Sequence, residues 1–244
     1  IVNNQDLYGS DFTNIDSLIT IKIRKNYIPL NHLCLLDIIS TNNFKRPVYF
    51  AVTVSKENFF NLEDYFQAEG IAYKLTPFHR PDPLLDRSTA YINTDIQYWK
   101  LMNDLVFDDI DNSRFHGEVF DRMIANYGYN YSLLLEKLIM ENKKDSAVKV
   151  LNYCLNELYG KRSGYDNNMI SLIESAFKLG LDQKAGMLVE DLYNSTMKNL
   201  ESNEKDDDNQ INYAIIHRLK DISNQYMKGS DFCKQINEKE FIDE

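Results

Sequence analysis

The chain has 244 residues, 37 of them acidic and 27 basic, for a formal net charge of -10 with 43% hydrophobic residues. That length can bury a core in one domain or two. The acidic excess repels nucleic-acid phosphates and anionic lipid surfaces unless a local basic patch opposes it; the tightest cluster, Lys22, Arg24 and Lys25, reads as solvated charge at a strand end, so no nucleic-acid partner is expected.

Ile19, Ile21 and Ile23 alternate with Thr20, Lys22 and Arg24, the period of a strand. Residues 31 to 41 carry Leu33, Leu36 and Ile39, or Leu35 and Ile38, at helical spacing. Val48, Phe50, Val52 and Val54 alternate with Tyr49, Ala51, Thr53 and Ser55 behind Pro47, which predicts a largely buried second strand. Ser55 or Asn61 would cap a short helix through Phe66 that stops at Gly70, and Ile71 to Leu75 would be the third strand. Strands joined by helical crossovers run parallel with right-handed connections, so the order strand-helix-strand-helix-strand predicts a small three-stranded parallel sheet.

All five prolines lie between Pro29 and Pro83, and Pro77, Pro81 and Pro83 mark residues 77 to 92 as a surface linker. The expected organisation is a small α/β subdomain over residues 1–90 and a helical one over 91–244, α/β plus all-α and helical in the main. Asn93 or Thr94 starts a helix to about Leu105, with Ile96, Trp99, Leu101 and Met102 toward the core, and Asp108 to Asn112 is a turn-rich break. Beyond it the sequence repeats itself at an offset of 38 residues: Leu134-Leu135-Glu136 aligns with Leu172-Ile173-Glu174, Asn142 with Gly180, Ala147 with Ala185, and Val150-Leu151 with Leu188-Val189. Each unit reads as two antiparallel helices around a tight turn, similar to a tetratricopeptide hairpin. A third pair runs from Gln210 to Lys228 and from Ser230 to Phe241, and Glu201 to Asp208 reads as a solvated helix end and loop.

Chemistry is sparse by comparison. The turns Arg24 to Asn31 and Val54 to Asn58 have no glycine to let backbone approach a phosphate, which argues against dinucleotide or Walker-type binding. Asp108, Asp109 and Asp111 lack the calcium-loop partners, since Arg114 and Phe120 stand where glycine and glutamate are needed. His32, His79, His116 and His217 are dispersed, and no serine sits in a Gly-x-Ser-x-Gly elbow. Glu63, Asp64 and Glu69 read as solvating or capping carboxylates rather than an acid/base pair. Cys34, Cys154 and Cys233 are far apart in apolar helical contexts, where a small buried hydrophobe is the expected role; one bridge plus a free thiol is the alternative. No catalytic, cofactor or metal residue is assigned. Tyr127, Tyr129 and Tyr131 are candidates for stacking on a peptide or sugar, and His79 with Arg80 follows the third strand, where a partner could sit.

The stretch Arg46 to Pro77, RPVYFAVTVSKENFFNLEDYFQAEGIAYKLTP, follows Leu35-Leu36-Asp37-Ile38-Ile39 and Asn42-Asn43-Phe44-Lys45-Arg46-Pro47. This wording resembles the C-terminal soluble region of a bacterial multi-spanning membrane protein family of unknown function that is similar to protein O-mannosyltransferases. Arg122-Met123 and the segment Leu133 to Leu158 look like that family's helical-repeat end. Lys74 stands where the family leads one to expect arginine, and Thr76 where it leads one to expect an apolar residue.

The resemblance implies a membrane-anchored parent that uses a lipid-linked sugar, with this piece a non-catalytic domain on the extracytoplasmic (periplasmic) face that positions an acceptor protein or peptide or stabilises the membrane portion. A protein-interaction module unrelated to sugar transfer is the alternative. The chain opens at Ile1 rather than at methionine, which fits a processed product or a piece of something longer. It contains no run of about 18 or more apolar residues such as a membrane span needs and no signal-peptide layout, so the piece itself reads as soluble.

Overall fold

The structure, a computed structural model, describes residues 18–21, 27–79, 88–107, 118–160, 167–202 and 206–238. The chain divides into two compact units, Ile1–Val106 and Phe107–Glu244.

The first unit runs through helix α1 (Leu30–Asn42), strand β1 (Val48–Ala51), two 3-10 turns (Lys56–Asn58 and Glu63–Tyr65), β2 (Phe66–Glu69), β3 (Ala72–Leu75) and α2 (Thr94–Trp99), which continues as a π-helical turn over Lys100–Asp104. The sheet has the order β1-β3-β2 and is antiparallel throughout. This corrects the expected parallel sheet. The residues read as the end of a short helix, Phe66 to Glu69, form a strand instead, and Gly70 with Ile71 folds it straight back as a two-residue hairpin. Gly70 has φ +66°, a conformation that glycine adopts without a Cβ clash and that suits the first position of such a turn. Between β1 and β2 the chain forms two 3-10 turns in place of a helical crossover, and β3 lies between the two strands, antiparallel to each.

Strand alternation sorts the sheet into two faces. Val48, Phe50, Phe66, Ala68, Tyr73 and Leu75 share one, and Phe59 stands on it edge-on to Phe50, Phe66 and Tyr73, with ring centroids 5.1 to 5.9 Å apart. Tyr49, Lys74 and Gln67 form a cross-strand row on the other. Residues 18–21, expected to begin a strand, are irregular, and 22–26 lie outside the described residues.

The stretch 88–92, expected in a surface linker, is largely buried: Tyr91 N donates to Phe66 O at 2.7 Å and Tyr91 O accepts from Ala68 N at 2.8 Å, which covers the outer edge of β2. Asn93 Oδ1 caps α2 by accepting from Asp95 N and Ile96 N, both at 3.1 Å. Trp99, expected in the core, is 55% exposed under the Lys100 ammonium, and Thr94 and Gln97 are the buried residues of that helix. On α1, Leu35, Leu36 and Ile39 are half-buried on one side and Leu33 and Ile38 exposed on the other, a division that neither predicted spacing describes.

The second unit comprises α3 (Glu118–Met140), α4 (Lys144–Tyr153) with a π-helical continuation over Cys154–Tyr159, α5 (Asn168–Lys178), α6 (Asp182–Ser202), α7 (Asp206–Tyr226) and α8 (Asp231–Glu238). Sequential helices pack on one another, and α3 also packs on α5. The offset of 38 reappears in the backbone. Lys143 N donates to Leu138 O at 2.9 Å and Leu181 N to Ala176 O at 3.0 Å; Asn142 N donates to Ile139 O at 3.0 Å and Gly180 N to Phe177 O at 2.9 Å. Asn142 and Gly180 are both left-handed, with φ +57° and +77°, the C-terminal stop that exposes the next helix start to reversal. Ala147 and Ala185 are wholly buried at equivalent places, as are Leu134, Leu135, Leu172 and Ile173. The third pair is α7 with α8, where Ser230 Oγ accepts from Cys233 N at 3.1 Å. Cys154 and Cys233 are buried, whereas Cys34, expected to be so, is exposed. The Asp108 to Asn112 break lies outside the described residues.

Because nothing lies within 4 Å of a Cβ built on Gly180, a substitution there tests backbone conformation alone. Gly180→Ala is expected to cost about 1–2 kcal/mol. Gly180→Asn should cost less, since asparagine already occupies the equivalent turn, and urea denaturation of the two variants measures the difference.

Candidate functional site

The junction from α1 to β1 carries the Asn-Asn-Phe-Lys-Arg-Pro wording and borders a surface cleft. Asn43 and Phe44 are both left-handed, φ +46° and +55°, and Lys45 N donates to Asn42 O at 2.9 Å, the arrangement of a type I′ turn. Asn42 then clamps the next residue through its side chain: Oδ1 accepts from Arg46 N at 3.0 Å and Nδ2 donates to Arg46 O at 2.6 Å. The Arg46 backbone is thereby satisfied without a strand partner, and its side chain is left to project with that of Lys45. Pro47, which has no N–H to donate, follows where none is needed. An open cleft of about 450 Å³ results, lined by Ile38, Thr41, Asn42, Lys45, Arg46, Pro47 and Val48.

The polar face of the sheet holds a second cluster, centred on Glu69. Its Oε1 accepts from Lys74 Nζ at 3.0 Å and Gln67 Nε2 at 3.2 Å, and its Oε2 from Tyr49 OH at 2.7 Å. The Lys74 and Glu69 side chains are only 6% and 8% exposed, so this is a buried ion pair, whose charges need each other far more than a surface pair would. Lys74, which stands where the resemblance leads one to expect arginine, is committed to a carboxylate of its own hairpin. The signal in the sequence is Gln67, Glu69 and Lys74 alternating about Gly70, legible only once the hairpin is known.

The other candidates are dispersed. Tyr127 and Tyr131 stack on the same side of α3 as Phe107, whose ring centroid lies 5.4 Å from Tyr127 and 6.3 Å from Tyr131. Tyr131 is wholly buried, and Tyr153 adds a ring at 6.0 Å. Tyr129, two residues from each, points to another side of the helix, so the three tyrosines do not line one surface. Burial foremost, then the neighbouring Tyr153, Cys154 and Tyr127, pushes the Tyr131 phenol well above the usual range. His79 Nε2 lies 3.9 Å from Asp64 Oδ2 with both side chains about half exposed, at the limit of an ion pair, and its ring meets Tyr65 edge-on at 5.6 Å. Arg80, His116, Asp108, Asp109 and Asp111 lie outside the described residues. His32 Nε2 is 2.7 Å from Asn58 Oδ1 and its ring rests against Phe60, a contact that docks α1. Among the described residues, no three His, Cys, Asp or Glu side chains gather as a metal would need.

Two consequences are measurable. Glu69→Ala leaves the Lys74 ammonium buried without its carboxylate and should cost about 3–5 kcal/mol in urea unfolding, whereas Glu69→Met combined with Lys74→Met should restore most of that loss. Tyr131 favours its neutral form more strongly when folded than when unfolded. Its contribution is therefore complete below the ordinary tyrosine value of about 10 and is lost as pH rises beyond it; Tyr131→Phe should flatten the loss of stability above about pH 10.

Against known proteins, residues 1–96 match the family model described as TMEM260-associated domain 2. No curated protein and no solved structure matches the chain. Among the described residues no helix is long and apolar enough to cross a membrane. The match takes in the cleft, the sheet and the start of α2, and its description speaks for a domain associated with a membrane protein.

Proposed function

We propose that the chain is a non-catalytic extracytoplasmic domain of a membrane-embedded, glycosyltransferase-like protein, where it positions an acceptor protein or stabilises the membrane portion. The observation that carries this reading is the match of residues 1–96 to a membrane-protein-associated domain family, taken with the resemblance of Arg46 to Pro77 to the family similar to protein O-mannosyltransferases. The local chemistry supports it: Glu69 is committed to Tyr49, Gln67 and Lys74 on one face of the sheet, and Tyr131 is a buried phenol packed among aromatic rings, which are structural uses of these groups.

In this reading the tetratricopeptide-like hairpins of the second unit offer the surface for the acceptor, since stacked helical pairs present an extended face while burying a continuous core. A protein-interaction module with no part in sugar transfer is favoured by a different observation, that the repeat lies beyond the matched residues.

Membranes carrying the full membrane protein, with and without the segment corresponding to residues 1–244, separate these readings. Sugar transfer to a protein acceptor should fall about tenfold or more on deletion, as expected when an acceptor is no longer held near the reaction. A matching fall in the amount of membrane protein assigns the stabilising role instead. Full transfer at unchanged protein level overturns both the positioning and the stabilising role and leaves the interaction module.

A further inference from the structure

Helix α1 is apolar on two sides. His32, Leu35, Leu36, Ile39 and Asn42 are the half-buried side, while Leu30, Leu33 and Ile38 are 76%, 53% and 52% exposed on the other, with Cys34 exposed among them. Tyr27 and Ile28, just before the helix, are also exposed. A helix apolar all round is normally covered all round, so the outer face is the anomaly. What lies beside it indicates the partner. Ile38 and Thr41 belong both to that face and to the cleft of about 450 Å³, whose other walls include Lys45, Arg46, Pro47 and Val48. Lys45 and Arg46 are exposed, and the Asn42 clamp uses only the Arg46 backbone, leaving the guanidinium to project. In a chain of net charge -10, the described residues 27–55 hold two basic residues, Lys45 and Arg46, both on the cleft, against one acid, Asp37.

We propose that this end of the first unit docks on the surface of an anionic bilayer, with Lys45 and Arg46 on lipid phosphates and Leu30, Leu33 and Ile38 at the boundary of the acyl chains. The chemistry is that of an interfacial helix: apolar side chains enter the headgroup region while cations at its margin take the phosphates. Asp37, the one opposing charge, lies on the exposed side, so Asp37→Asn should strengthen the interaction. This inference does not depend on sugar transfer or on an acceptor.

The test is co-sedimentation of the 244-residue chain with vesicles of phosphatidylcholine alone or mixed with phosphatidylglycerol. Binding is expected to the mixed vesicles and to weaken with salt. Lys45→Gln with Arg46→Gln should reduce it about thirtyfold, roughly fivefold for each cation removed near an anionic surface. Leu30→Ser with Leu33→Ser should also reduce it while leaving the melting temperature unchanged, since both side chains are exposed in the folded chain; circular dichroism of each variant verifies folding. Equal binding to both vesicle types, or unchanged binding by the folded Lys45/Arg46 variant, overturns the proposal. So does a dimer on gel filtration that Leu33→Ser dissociates, which would make a second copy the occupant, or saturable binding of inorganic phosphate at Lys45 and Arg46 without vesicle binding.

Discussion

Gly70 reverses the chain between β2 and β3, and the Gln97 side-chain amide holds that reversal: Gly70 N donates to Gln97 Oε1 at 2.7 Å, and Gln97 Nε2 donates to Gly70 O at 3.0 Å. Gln97 is 1% exposed, so neither backbone group could turn to water if the amide were lost. From this reversal follow the antiparallel direction of the sheet, the pairing of Gln67 with Lys74, and the placing of Phe66 and Tyr73 on one face against Phe59. It also ties α2 to the sheet through a hydrogen-bonded pair rather than through an apolar stripe, which is why Gln97 points inward and Trp99 does not.

The two units are stabilised in different ways. The first combines a small aromatic cluster with a buried polar network, in which Glu69 accepts from three side chains. Such a network contributes specificity of register: a one-residue slip would carry Lys74 and Glu69 to the apolar face, where neither charge could be compensated. The second unit relies on repeated aliphatic contacts and nearly identical turns, and its ion pairs, such as Arg218 with Glu174 or Lys234 with Asp231, lie toward solvent where they contribute little.

The local readings that held were those whose cause is local. The spacing of residues 31 to 41 gave a helix in place, Asn93 capped α2, and the repeat at 38 returned as matched hydrogen bonds, because a left-handed stop and a buried alanine are dictated within a single hairpin. The readings that failed depended on distant partners. Phe66 to Glu69 fits either a helix end or a strand by composition, and only the pairing with Ala72–Leu75 decides between them. For Tyr127, Tyr129 and Tyr131, candidates for stacking on a partner, the packing of Phe107 against the first and third is likewise legible only in the structure.

By itself, then, the sequence determined a mainly helical chain, the position of most of its helices, the hairpin repeat, and the wording of the segment that the family model matches, since periodicity, caps and turn residues act over a few positions. Tertiary structure alone decided the direction of the strands, the commitment of Lys74 to Glu69, the exposure of Trp99 and the two-sidedness of α1. Those depend on which surfaces meet, and a strand or an apolar helix face carries no local mark of the partner that will cover it.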